Sequence, residues 1–159
     1  MDAAHARNLV HRDLKPENVF LAGEAKDRVK LLDFGLAKSL APDTEGDTAA
    51  VTSAGVVVGT VHYMGPEQLR GQAVDVGWDL WAVAVMTYEM LAGALPFPGA
   101  TMADYQSAVL AGRVTPIRTY VAEAPERLDA FFVNALSPDP SRRPVRASVL
   151  VAQLEQALT

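Results

Sequence analysis

Two short stretches hold most of the residues able to do chemistry. Residues 11–18 read His11-Arg12-Asp13-Leu14-Lys15-Pro16-Glu17-Asn18, and Asp33-Phe34-Gly35 follows at the distance that one β-hairpin spans. Asn18 and Asp33 offer hard oxygen ligands of the kind that Mg²⁺ takes one or two at a time while keeping several waters. Asp13 offers a carboxylate that can accept a proton. Lys15, two residues on, offers an ammonium that can sit against an anion. Such a set suits transfer of a highly charged group, where positioning and charge neutralisation supply most of the rate.

A hairpin must bring the two stretches together. Val19-Phe20-Leu21 and Val29-Lys30-Leu31-Leu32, separated by the turn-like residues 23–28, read as two strands with Asn18 and Asp33 at their open end. Residues 3–7 are Ala-rich and helix-prone, too short to be stable alone, and read as the last turns of a longer helix. Residues 39–58 are dominated by Ala, Thr, Ser, Gly, Asp and Val without a helical period, which predicts a mobile segment. From 79 to 91 the chain is apolar nearly all round, so this helix belongs at the centre of a core, with Met86 and Met90 as core residues. Asp79 falls in its first turn, where a carboxylate accepts backbone N–H bonds and complements the dipole; Gly93 and Pro96 end it. Further helices are expected over 102–110, 125–136 and 145–158, the last offering Val149, Ala152, Leu154 and Leu158 for burial.

Composition fits one unit over residues 1–159. Half the residues are apolar, and a chain of 159 residues buries roughly 70% of its unfolded surface in a single domain. A net charge of −5 gives no basic footprint for nucleic acid or an anionic membrane. The absence of cysteine excludes disulfides, thiolate metal sites and thiol catalysis. Met1-Asp2-Ala3-Ala4 has no basic segment ahead of an apolar one, and the longest uncharged apolar run, residues 80–86, is far short of the roughly 20 residues of a membrane span. The expectation is a soluble, cytoplasmic domain with no membrane segment, any anchor being left to flanking regions. There is no internal repeat and no domain linker.

The run over residues 11–18, Asp33-Phe34-Gly35 at its spacing and the later Gly65-Pro66-Glu67 together resemble the catalytic and metal-binding loops of protein kinases. Lys15 two residues after Asp13 is the serine/threonine pattern, and Gly65-Pro66-Glu67-Gln68-Leu69-Arg70-Gly71 with the run into Asp79 is similar to the bacterial kinases of the eukaryotic-like type. The resemblance implies a mainly α fold of the α+β family: the C-terminal lobe, a helical bundle with a small β-hairpin. It implies a partial kinase domain over 1–159, with a catalytic loop at 11–18, a metal loop at 33–35, an activation segment at 33–67 and a helical body at 78–158. The implied activity is transfer of the ATP γ-phosphate to Ser/Thr hydroxyls of protein substrates, with Mg²⁺ or Mn²⁺ as the metal.

On that resemblance Asp13 is the base, Lys15 holds the γ-phosphate, Asn18 and Asp33 are the metal ligands, and Thr60 is the hydroxyl that bridges Asp13 and Lys15. Phe20, with Met86 and Met90, belongs to a stack that the adenine ring completes. His11 and Phe34 pack above Asp79, which holds the backbone of the catalytic loop. Glu67 is expected to pair with Arg143 in a buried ion pair. Gly65 stands where Ala is usual, and Ala84 where Gly is usual. Arg12, with Lys38, would bind a phosphate on the activation segment, for which Thr52 and Ser53 are preferred over Thr44 and Thr48.

Residues 1–159 contain no Gly-rich phosphate loop, no Val-Ala-x-Lys strand and no helix bearing the glutamate that pairs with that lysine. The expectation is therefore a truncated catalytic domain, lacking its N-lobe, inactive in isolation and exposing apolar surface at Phe20 and on the 79–91 helix. Two readings of other classes stand beside it: a non-catalytic binding module using the surface around helix 102–110, and a remnant of a split or misread gene. An in-frame Gly-rich loop and Val-Ala-x-Lys in the DNA upstream of Met1 would favour the enzyme.

Overall fold

Helix α3, Gly77–Ala92, is the axis on which the other elements pack, and its buried residues run from Asp79 to Tyr88 with only Val83 interrupting them. The computed structural model describes residues 1–23, 28–32, 38–39 and 60–159, with backbone alone for 38, 39 and 60. Asp33, Phe34, Thr44, Thr48, Thr52 and Ser53 lie outside the described residues, as do the side chains of Lys38 and Thr60.

Ahead of α3 come α1 (Asp2–His5), strands β1 (Leu9–Val10), β2 (Val19–Ala22), β3 (Arg28–Leu31) and β4 (Lys38–Ser39), and the short α2 (Pro66–Leu69). After it come α4 (Met102–Leu110), α5 (Glu126–Ala135) and α6 (Ala147–Leu158). The strands form two separate antiparallel pairs, β1 with β4 and β2 with β3, in a mainly helical body. In the β2–β3 hairpin Val19 faces Leu31 and Ala22 faces Arg28. Beyond the strands Leu32 N donates to Asn18 O at 2.9 Å, so the pairing carries on past the hairpin's open end.

The core forms where α3 meets α4, α5 and α6. Trp81, Val85 and Tyr88 of α3 pack with Phe97, Tyr105, Ile117, Phe132, Leu136 and Leu150, all buried. Trp81 stacks on Phe97 at 5.7 Å, and Tyr88 meets Phe132 edge-on at 4.9 Å. Each such side chain contributes about 1.5–3 kcal/mol by leaving water. Ala84 is fully buried among them, so its methyl is accommodated.

Local signals set the ends of the elements. Thr101 and Asp104 form a reciprocal capping box on α4, the hydroxyl accepting from Asp104 N at 3.2 Å and the carboxylate from Thr101 N at 3.1 Å. Gly93 ends α3 in the left-handed region at φ 66°, which costs a residue without Cβ little. The start of α6 has no side-chain cap of its own; Asp2 of α1 supplies one, accepting from Ala147 N at 2.8 Å and Ser148 N at 3.2 Å. The serine hydrogen bond leads in holding the Asp2 carboxyl below the usual range.

Two expectations about packing need correction. Met90 is 78% exposed, because it lies with exposed Leu91 on the face of α3 opposite Tyr88 and Ala92, which stay on the core. In α6 Leu150 and Ala157 are buried, Val149 and Leu154 are half-buried as expected of them, and Ala152 and Leu158 are exposed. Apolar residues cover so much of this helix that the pattern alone could not select the face.

Candidate active site

The loop over residues 11–18 is held by one buried carboxylate. Arg12 has φ 72°, a left-handed conformation that costs a residue with a Cβ about 1–3 kcal/mol and persists only when its surroundings fix it. Asp79, 2% exposed, supplies the fixing: Oδ2 accepts from His11 N and Oδ1 from Arg12 N, both at 2.9 Å. His5 Nε2 lies 2.9 Å from the same Oδ2, and Gln68 Nε2 donates to Arg12 O at 3.2 Å. Asp79 stands in the first turn of α3, yet both its oxygens serve the loop rather than its own helix. Asp75 takes the local task instead, its Oδ1 accepting from Gly77 N at 2.7 Å. His11 is buried at 2% exposure with Nε2 2.9 Å from Leu32 O, which ties the loop to the hairpin.

Three of the chemistry-bearing residues meet on that loop. Lys15 Nζ is 2.9 Å from Asp13 Oδ2. A 3-10 turn over Pro16–Asn18, begun by proline whose missing N–H costs nothing there, folds Asn18 back on Asp13. Asn18 Nδ2 donates to Asp13 O at 2.8 Å and reaches Asp13 Oδ2 at 3.4 Å. A carbonyl can only accept, so this contact fixes the amide orientation and leaves Asn18 Oδ1 without a hydrogen bond among the described residues. An amide oxygen beside a carboxylate is the donor chemistry that suits Mg²⁺. Asp33, the other sequence-predicted ligand, is outside the described residues; among those described, no three His, Asp or Glu side chains gather in metal-binding range. Phe20, on β2, is 55% exposed.

The stretch over residues 60–69 closes the opposite side of the loop. Its first residues form a 3-10 turn, Thr60–Tyr63, from which Tyr63 OH donates to Glu89 Oε2 of α3 at 2.8 Å. Burial first, then this hydrogen bond, pushes the Tyr63 phenol well above its usual range. Tyr105 OH of α4 donates to His62 O at 2.6 Å while its ring meets His62 edge-on at 4.8 Å. Glu67 takes both Nη atoms of Arg143, at 2.6 and 3.0 Å, in a bidentate pair. Arg143 also donates to Ser137 O at 2.6 Å and lies 4.9 Å from the centre of the Trp81 ring. A methyl on Gly65 would stand 3.2 Å from Trp81 and 3.3 Å from Glu67 Oε2, a tight fit that a few tenths of an ångström of movement would relieve.

Sequence reasoning missed His5, Gln68, Glu89 and Tyr105. Each acts across 26 or more residues of chain through one side-chain contact, and a lone polar residue on a helix carries no periodic signal of such a role.

A family model described as the protein kinase domain matches residues 1–154. Serine/threonine-protein kinase pkn3 of Myxococcus xanthus is 38% identical over 156 residues, covering 96% of this chain and 28% of that protein. PknL of Mycobacterium tuberculosis is 35% identical over 153 residues, 96% of this chain and 36% of the relative. PknB of Mycolicibacterium smegmatis is 36% identical over 155 residues, 97% and 24% respectively. The chain thus spans between 24% and 36% of the length of these relatives, all of them named serine/threonine kinases from bacteria. With a fold of mainly helical lobe and small hairpin, and a family match running from its first residue nearly to its last, the chain belongs to the protein kinase family.

Proposed function

We propose that residues 1–159 are the larger lobe of a serine/threonine protein kinase that moves the γ-phosphoryl group of ATP to protein hydroxyls. The observation that carries this reading is the cluster of Asp13, Lys15 and Asn18 on a loop whose strained backbone is held by Asp79. Asp13 Oδ1 has no hydrogen bond among the described residues and is the atom assigned to take the substrate proton. Lys15 neutralises Asp13 in this state; with nucleotide present its ammonium is assigned to the γ-phosphate. Asn18 and Asp33 would hold Mg²⁺, which neutralises the phosphate charge. Thr60 is assigned to orient Asp13 and Lys15.

The regulatory assignment rests on Arg12, whose Nε is buried without a hydrogen bond among the described residues. With Lys38 it would take a phosphate placed on Thr52 or Ser53, a charge-assisted contact able to order a loop. Exposed Phe20, Leu21 and Val29 on the hairpin favour the enzyme reading over a self-contained binding module, since apolar residues gathered there suit an adenine ring and a covering lobe. No described helix is long and apolar enough to cross a membrane, and we assign the domain to the cytoplasm, where ATP is.

The test is phosphotransfer from radiolabelled ATP, with Mg²⁺, by this chain joined to the nucleotide-binding lobe of a relative. Label should enter Ser/Thr peptides and not tyrosine peptides. Residues 1–159 alone should bind ATP more weakly than micromolar by calorimetry, since their sequence holds no Gly-rich loop to cover the phosphates. Tyrosine-only transfer, or micromolar ATP affinity for the chain alone, would contradict the reading.

A further inference from the structure

A cavity of about 480 Å³, walled in part by Glu67 and Arg143, lies between the chain leading into α3 and the chain leading into α6. Its size is that of small-molecule sites, which are mostly apolar with a few placed polar groups. Val76, Leu80, Pro144 and Leu150 make apolar walls. Glu67 and Arg143 also line it but are matched to each other, so the pair adds no net charge. Asp75 is different. It is exposed, its Oδ1 is taken by Gly77 N, and it has no ion pair among the described residues. An apolar chamber with one carboxylate outside any ion pair among the described residues, on a chain of net charge −5, favours a cation over an anion.

We infer that this cavity binds a compact apolar molecule carrying an ammonium group, the apolar part between Leu80 and Leu150 and the ammonium against Asp75. Two contacts would transmit occupancy. The ligand touches the ion pair that fastens residues 60–69, and it touches Trp78, which also walls a small cavity against Arg12 and Asp13. The site stands on this geometry and not on phosphotransfer, so failure of either proposal leaves the other intact.

Three probes with one indole skeleton separate the contributions: tryptamine as the cation, tryptophol as the neutral form and indoleacetate as the anion. Titrated into residues 1–159 and followed by amide and indole NMR, tryptamine should give saturable shifts at Val76, Gly77 and the Trp78 indole. It should bind at least about tenfold more tightly than indoleacetate, as expected from reversing one charge beside a partly exposed carboxylate. Asp75→Asn keeps the acceptor for Gly77 N and should shrink that preference below about threefold. Val145→Trp, at a residue 70% exposed on the cavity wall, should block tryptamine while leaving the fold's spectrum intact. Equal binding of the three probes, an unchanged preference in Asp75→Asn, or shifts confined to the hairpin around Phe20 would overturn the proposal.

Discussion

Residues 11–18 and residues 60–69 flank Asp13 from two sides, and they are held by opposite means. The first is gripped through its backbone: two consecutive amides donate to one buried carboxylate, and the residue between His11 and Asp13 is kept in a left-handed conformation. The second is gripped largely through side chains and by three separate parts of the body, Glu89 of α3, Tyr105 of α4 and Arg143 after α5. Fixing a backbone leaves the direction of Asp13 no freedom, whereas tethering by side chains fixes position and can be undone one contact at a time. The loop that carries chemistry is thus rigid by construction, and the segment beside it is held by parts that can be altered singly.

The largest expected effect breaks the backbone grip. Asp79→Ala strands two amide donors and His5, at about 1–3 kcal/mol for each buried group left unsatisfied, a loss of about 4–6 kcal/mol in urea denaturation. Asp79→Asn should cost nearly as much, because an amide cannot present two accepting oxygens to donors that now meet both. Next comes Arg143→Ala, at about 3–5 kcal/mol, since Glu67 is then left partly buried without its partner. A larger loss from Arg143→Ala than from Asp79→Ala would reverse the comparison.

A smaller change sharpens it. Tyr63→Phe removes one hydrogen bond to a carboxylate and should cost about 1–2 kcal/mol at neutral pH. The sign of its pH dependence follows from the raised phenol. In the unfolded chain Tyr63 ionises near pH 10, in the folded chain only well above that, so its stabilising contribution is complete below pH 10 and declines as pH rises further. Tyr105, raised by burial, and Tyr88, pushed by burial to about 12, act in the same direction. The Phe variant should therefore lose stability less steeply than the parent between pH 10 and 12; an identical slope would show that the Tyr63 phenol is not raised in the folded chain.

Much of this was legible in the sequence because local patterns specify it. The apolar run around Trp81 announced the central helix, amphipathic spacing over 102–110 announced α4, and β-branched and aromatic residues on either side of the turn-like 23–28 announced the hairpin. Motif spacing brought out Asp13, Lys15 and Asn18, which lie within one turn of loop and so need no long-range information to meet. What holds them was harder to read. His5, Gln68 and Glu89 act through single contacts across the fold, and Asp79 looks locally like an ordinary helix-start carboxylate, so that only the family resemblance tied it to a loop 67 residues away. The face of α6 was misread for a different reason: too many apolar residues surround that helix for periodicity to discriminate among them.

The most direct measurement is made on the chain joined to a relative's nucleotide-binding lobe, with Asp13→Asn compared against the parent for ATP affinity and for phosphotransfer separately. Asn keeps the size of the side chain and can still accept from Asn18, but it cannot take a proton. The account predicts that transfer falls by about 10²–10⁴, the usual contribution of a positioned acid or base, while ATP affinity stays within about twofold. Equal loss of affinity and transfer would contradict it, since Asp13 would then be holding the nucleotide rather than the substrate hydroxyl.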